Sequence, residues 1–533
     1  MAVIERSAGV LLHPTSLPGP YGIGEIGPEA RDFVDILANF GCRYWQVLPL
    51  VPTGFSHSPY SGFSSFATNP QLISLADLVS QGLLEEEDLA GMPAVPQNRI
   101  DFDALIPWKM RVLRKAFERF GHDAASEDQL DFENFCRDQS SWLGDYALFM
   151  AIKESFDGKP WLEWPEKIRM REEFTINETR YKLDDEIRFH EFMQYIFHLQ
   201  WTELREQCDL FGIQIIGDVP IFVDHDSADV WANQQLFCLN ADGTPQCVSG
   251  VPPDYFCSTG QLWGNPLYRW SVHQKSQFAW WISRIKRQLE LCNVLRIDHF
   301  RGFSSYWSVP AGQKTAEHGE WKQAPGKQFF EAVRKAVGGL PFIAEDLGTI
   351  TEDVHELRNM FELPGMRVLL FGFSGEEPRT AWHLPHNYDR NSVVYTGTHD
   401  NDTINGMYWG QDKLADPRST EQKHYERQNI LAYLDNRDEN NMNWKLMREA
   451  LHSVACLAVI PVQDILGYGS DCRMNRPGHV LKENWSWRLT NFSAMTPDVR
   501  NHFRHLIWCN GRLHLPPDVP VQREEEELKV KPS

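Results

Sequence analysis

One unit recurs along this chain and limits its possible folds more than any other feature. A stretch with helical spacing of apolar residues is followed by a glycine or small-residue stop, then by a short β-branched run ending in a polar residue. DFVDILANFG precedes RYWQVLPL, FHEFMQYIFHLQWTELREQCDLFG precedes IQIIGDV, WWISRIKRQLELCN leads to VLRID, FFEAVRKAVGG to LPFIAED, and MREALHSVA to CLAVIPVQD. In the second case Phe189, Phe192, Ile196 and Leu199 repeat at helical spacing, Asp184 and Asp185 offer a cap, and Gly212 ends the helix. Helices alternating with strands build parallel sheets, because parallel neighbours need a crossover between them. With GVLLHP, MRVLLFGF and SVVYTGT the candidate strands number eight. Eight such strands suggest an α/β chain closed into a (β/α)8 TIM barrel, whose active sites lie at the C-terminal strand ends.

Four acidic residues end apolar runs: Asp218 (IIGDVPIFV), Asp298 (NVLRIDHF), Glu345 (LPFIAEDLG) and Asp400 (SVVYTGTHD). In a barrel all four are expected at one mouth. For any one of them a helix cap or a solvated loop charge is the competing reading. Carboxylates with different neighbours are what acid, base and nucleophilic chemistry on a glycosidic bond requires. Arg296, two residues before Asp298 and so on the same strand face, is expected to hold Asp298 ionised as a nucleophile. Glu345 follows the apolar PFIA, and a partly buried glutamate tends to a raised pKa, as a general acid requires. Asp400 beside His399 suits vicinal sugar hydroxyls, with His399 donating a hydrogen bond; a local His–Asp pair in a turn is the alternative. No GxSxG elbow, HExxH or Walker loop occurs.

At 533 residues, 42% hydrophobic and 23% charged, the chain can bury one large catalytic domain with insertions. Residues from about 50 to 212 are too many for one crossover and predict a largely helical inserted subdomain, with helical pieces around 103–120 and 130–155. The connection 219–292 contains GVPPDYFCSTGQLWGNPLY, whose composition suits an active-site loop or lid. Trp263 in TGQLWGNP and Tyr60 in SPYSGF lie in polar, turn-forming settings, where a flat ring is expected to meet sugar. Residues 520–533 read as a charged tail. A net charge of -21 argues against nucleic acid and acidic membranes as partners and fits a neutral or cationic small-molecule ligand. Ten scattered cysteines without a CxxC pair read as reduced core thiols. The N-terminus reads as neither a signal nor a transit peptide, and no run approaches a membrane span, so a cytoplasmic location is expected. A mature organellar form would look the same.

LLHPTSLPGPYGIGEIG, YWQVLPLVPTG, SPYSGFSSFATNP, GDVPIFVDHDSADVW, GVPPDYF, TGQLWGNPLY, RIDHFRGF, AEDLG, PGMRVLLF, GTHDNDT, QDILGYGSDCRMNRPG and NWSWR together resemble, nearly end to end, the amylomaltase or disproportionating-enzyme family of 4-α-glucanotransferases, relatives of the α-amylases (glycoside hydrolase family 77). The resemblance implies a barrel without a C-terminal β-domain and no metal or organic cofactor. It implies retaining double displacement on α-1,4-glucans and maltooligosaccharides, with glucose as an acceptor. It makes Asp298 the nucleophile, Glu345 the acid/base and Asp400 the transition-state stabiliser. Arg296, His399 and Asp218 become sugar-binding and supporting residues, and Ser58, Tyr60, Asp254, Gln261, Trp263 and Asn475 line donor and acceptor subsites. Arg476 and Glu483 depart from the family's pattern, in places expected to lie away from the acidic trio and to bear on the acceptor side. The rival readings are an α-amylase-type hydrolase with the same trio and a non-catalytic glucan-binding protein. A product profile separates the first, and retention of all three carboxylates disfavours the second.

Overall fold

The computed structural model describes residues 4–54, 56–253, 259–414 and 416–516. Eight short parallel strands close a barrel: β1 (Ser7–Leu11), β2 (Tyr44–Gln46), β3 (Gln214–Val219), β4 (Val294–Ile297), β5 (Phe342–Ala344), β6 (Gly365–Val368), β7 (Ser392–Tyr395) and β8 (Leu457–Pro461). Each pairs with its neighbour along the chain, and β8 closes on β1 from Ser7 opposite Leu457 to Leu11 opposite Pro461. These are the eight runs picked out by their sequence pattern.

Side-chain alternation sorts the strands into two cores. Ile215, Leu295, Val394, Ala458 and Ile460 join the large outer core under the helices. Their neighbours Ile216, Val294, Val393, Tyr395, Leu457 and Val459 fill the lumen, together with Ile343 and Met366. The period of two then carries Asp218, Arg296, Asp298 and Glu345 onto the lumen face, since each lies two or four residues beyond an inward residue of its own strand. Gly365 on β6 is required by close approach: a Cβ there would meet the Asp346 carboxylate at 2.5 Å. Asp346, which points outward beside the inward Glu345, accepts the Met366 N–H at 2.7 Å and the Arg358 guanidinium, riveting β5 to β6.

The helix Asp184–Leu210 buries Phe189, Phe192 and Ile196, and Gly212 at φ 66 turns the chain out of it. Two expectations for it are corrected. Leu199 is exposed, because the buried stripe runs from Ile196 through Gln200, Trp201 and Leu204 and leaves it to one side. Asp184 and Asp185 lie inside the first turn after Leu183, with no side-chain cap; Asp185 pairs with Arg114 instead. Between β2 and β3 lie Phe102–Asp123, Ser126–Asp138 and Leu143–Ser155, all helical. The β6 to β7 connection carries only 3-10 turns among the described residues, so the alternation is interrupted there.

A four-stranded antiparallel sheet stands beside the barrel, in the order Gln261–Pro266, Cys247–Val251, Ser305–Pro310, Glu320–Gln323. The reading of TGQLWGNP as loop is therefore corrected: Gln261–Pro266 is an edge strand on Cys247–Val251. Its partner pairs in turn with residues from the following connection, a long-range pairing that overrides the local glycine and proline signal. No helix among the described residues is long and apolar enough to cross a membrane.

Candidate active site

The strand ends deliver the acidic residues with different degrees of access. The Asp298 side chain is 28% exposed and that of Asp400 44%, whereas Asp218 is at 0%. Arg296 sits between two of them, its Nη1 at 2.8 Å from Asp218 Oδ2 and 3.0 Å from Asp298 Oδ1. Burial alone would lower the pKa of Arg296, but Asp218 and Asp298 reverse this and hold it well above the usual guanidinium value. The charge that faces Asp298 is therefore permanent.

Asp218 is raised above the ordinary carboxylate range by burial, against the pull of Arg296. Its remaining contact is the Tyr60 hydroxyl, which donates to Oδ2 at 2.7 Å. With no exposed surface, Asp218 is fitted to supporting Arg296 and Tyr60; the expectation that it touches a sugar is corrected to that extent. Burial also drives the Tyr60 phenol well above its ordinary pKa, so it stays a donor. Tyr60 stacks on His399 with ring centroids 4.9 Å apart.

Glu345 continues β5 into the lumen. Its Oε2 accepts the His299 N–H at 2.8 Å and its Oε1 the Leu347 N–H at 3.0 Å. Burial pushes its carboxyl up to about 8; Arg296 opposes the rise and Asp298 adds to it. A glutamic acid that keeps its proton at neutral pH beside an accessible aspartate is the pairing that general-acid and nucleophilic roles require. His299, which supplies one of those N–H groups, has φ 50 and is held neutral by burial, its pKa lowered to about 4.

Asp400 has a different support. Asn475 Nδ2 donates to its Oδ1 at 2.7 Å, Arg473 Nη2 to its carbonyl at 2.7 Å, and His399 Nε2 lies 3.4 Å from Oδ1. Arg473 and Arg476 both grip Asp412 Oδ2, at 3.0 and 2.9 Å. Burial would raise the Asp412 carboxyl, but the Leu414 N–H and the two guanidinium groups hold it below its ordinary range. Arg476 thus stands directly behind the seat of Asp400, which corrects the expectation that this departure lies away from the trio.

Gln261 and Trp263 share one face of the edge strand, where the Trp263 indole N–H donates to Gln261 Oε1 at 3.3 Å. The exposed Trp263 ring meets His299 edge-on, centroids 4.7 Å apart. Ser58 shapes the turn by accepting the Tyr60 N–H at 3.2 Å. Asp254 lies outside the described residues. Sequence reading missed Asp412, Arg473 and Trp485. Trp485 packs 5.8 Å from Tyr60 and 5.9 Å from His399, with φ 62. The only hint in sequence is that Arg473 and Trp485 lie in the same motifs, QDILGYGSDCRMNRPG and NWSWR; Asp412 carries none.

Known proteins share the sequence and the fold of this chain. The family model of glycoside hydrolase 77, described as 4-alpha-glucanotransferase, matches residues 12–494. The chain is 48% identical over 519 residues to the 4-alpha-glucanotransferase of Thermus thermophilus, covering 96% of this chain and 100% of that protein. It is 46% identical over 518 residues to the chloroplastic/amyloplastic 4-alpha-glucanotransferase of Solanum tuberosum, over 95% of this chain and 87% of the plant protein. Among solved structures, the amylomaltase from Streptococcus agalactiae in complex with acarbose superposes with a TM-score of 0.90 at 38% identity, over 96% of this chain and 100% of that one.

Proposed function

This chain belongs to the 4-alpha-glucanotransferase family, and on that premise we propose a residue-level mechanism for the transfer of α-1,4-glucan segments that it catalyses. Asp298 is the nucleophile: it is reachable from the mouth, and Arg296 lies 3.0 Å from its Oδ1. Glu345 is the acid/base. In the first step Asp298 attacks the anomeric carbon, the glycosidic bond breaks, and Glu345 gives its proton to the departing glucan oxygen. In the second step the 4-hydroxyl of an incoming sugar loses its proton to the Glu345 carboxylate. Its oxygen takes the anomeric carbon from Asp298, and configuration is retained. Asp400 and His399 brace the distorted ring through its hydroxyls, and Asn475 fixes the angle of Asp400.

The observation that carries this reading is the contrast inside one carboxylate pair: Glu345 is protonated at neutral pH because it is buried, while Asp298 lies against a permanent cation. Donors are α-1,4-glucans and maltooligosaccharides, and glucose serves as an acceptor; that the Streptococcus agalactiae amylomaltase was solved in complex with acarbose supports ligands of this kind. We read the chain as one catalytic barrel domain, with the helices between β2 and β3 and the segment between β3 and β4 as insertions. We place it in the cytoplasm, with the plastid stroma as the alternative that the plant relative supports.

Incubation with pure maltotriose, following glucose, longer maltooligosaccharides and total reducing ends, tests the reading. Glucose and longer chains at constant reducing ends are expected. Rising reducing ends would make the dominant reaction hydrolysis, and unchanged maltotriose would refute catalysis.

A further inference from the structure

A carboxylate outside the trio joins the two walls of the mouth. Asp224 lies five residues beyond the end of β3 and is half-buried. Ser61 Oγ donates to its Oδ2, and Asn265 Nδ2 donates to its Oδ1 at 3.0 Å. Asn265 is itself anchored, its Oδ1 accepting from Ser249 Oγ at 3.1 Å on the adjoining strand. Ser227 Oγ donates to the Asp224 carbonyl at 2.6 Å and fixes the backbone. Burial, with repulsion from Asp226, pushes the Asp224 carboxyl up to about 6, so near neutrality it is ionised and both oxygens accept.

The two donors belong to different walls. Ser61 follows Tyr60, which reaches the Asp400 side through its stacking on His399. Asn265 is two residues beyond Trp263, which reaches the Asp298 side through His299. Asp224 thus links the Tyr60 turn to the Gln261–Trp263 edge through one side chain. Both walls border the site where, on the function proposed above, the glucosyl ester on Asp298 awaits its acceptor.

We propose that Asp224 is a positioning residue that sets how the glucosyl-enzyme divides between a sugar acceptor and water. Either way the bond from the anomeric carbon to Asp298 breaks, a bond to the incoming oxygen forms, and the proton goes to Glu345. Only the incoming molecule differs. Water needs no orientation by the walls, whereas a sugar 4-hydroxyl does, so loosening the walls penalises transfer more than hydrolysis.

The test measures new reducing ends per glucan transferred, at several maltotriose and glucose concentrations, for wild type, Asp224→Ala and Asp224→Asn. This ratio is independent of how much enzyme folds. Asp224→Ala is expected to raise it about tenfold, through loss of two hydrogen bonds to a charged acceptor. Asp224→Asn is expected to return to within about twofold of wild type, because an amide accepts from Asn265 and donates to Ser61. An Ala variant with the wild-type ratio overturns the proposal whatever its turnover. So does an Asn variant as leaky as the Ala variant, since that would trace the effect to charge rather than to bridging. Should Asp224→Ala fail to fold, Asn265→Ala removes the same bridge from the other side and must raise the ratio. The wild-type profile separately judges the proposed function: transfer that outpaces the release of new reducing ends supports it, and release that outpaces transfer refutes it without bearing on the variant comparison.

Discussion

Glu345 and Asp400 are both carboxylates at strand ends of one barrel, yet their seats are built in opposite ways. Glu345 rests on main-chain N–H groups of His299 and Leu347, supplied by its own strand end and the adjacent one. Asp400 is held by side chains brought from 73 and 75 residues further along the chain, Arg473 and Asn475, the first of them kept in place by a buried Asp412. The first seat is dry enough to keep a proton on a carboxyl, and the second leaves its carboxylate open to the mouth. An acid needs a poised pKa, which burial provides. A group that braces a moving sugar ring needs fixed direction with access, which a side-chain network provides.

The largest break in this comparison is expected from Glu345→Gln. Loss of the proton donor should lower kcat by roughly 10²–10⁴. A donor whose leaving group needs no protonation should regain most of the first step with Glu345→Gln and nothing with Asp298→Ala. Equal recovery in both variants would dissolve the distinction between the two roles.

Asp412→Ala attacks the other seat. It leaves Arg473 and Arg476 buried without their shared carboxylate, at an expected stability cost of about 3–5 kcal/mol. The slackened Asp400 should lower kcat by about 10²-fold. Thermal unfolding and steady-state kinetics on the soluble fraction measure the two effects; an unchanged kcat would show that Asp400 needs no such brace.

Acidity sharpens the contrast further. Because the proposed mechanism needs Glu345 protonated for the first step and its pKa is raised to about 8, kcat/KM should fall as pH rises through about 8. The raised value also carries a stability term. Between the unfolded value near 4.5 and about 8 the folded chain binds the extra proton, so this contribution is full at low pH and is lost as pH rises through that window. Glu345→Gln should therefore gain on wild type from about pH 5 to 8 and level off above, by about 2 kcal/mol once the carboxyl's partial solvent access is allowed for. A pH-independent difference between the two melting curves would contradict the burial of this group.

The smallest effect is expected at the rim. Trp263→Ala should raise KM for maltotriose by about 2- to 10-fold with little change in kcat, the size of a lost ring contact. A large fall in kcat would instead place Trp263 in the support of His299 and thereby of Glu345.

Asp298 and Glu345 were legible because each ends an apolar run, and alternation along Val294–Ile297 and Phe342–Ala344 dictates which way they point. The barrel was legible for the same reason: helix period, stop and short β run recur often enough to count strands. The seat of Asp400 was not, because nothing local in the residues around Asp412 announces two guanidinium groups arriving from beyond β8. Gln261–Pro266 misled for a related reason, its glycine and proline signalling a loop while a remote strand pair made it an edge.

The sequence by itself thus determined the number of strands, the lumen-facing parity of the strand-end acids, and through its motifs the chemistry. Only the tertiary structure decided access: that Asp218 is sealed behind Arg296 and Tyr60, that Asp298 is reachable, and that Asp224 bridges two walls. The physical reason is one of range. Parity and period act between near neighbours in the chain and survive in a string of letters, whereas burial and ion pairing depend on which distant segments fill the same few ångströms.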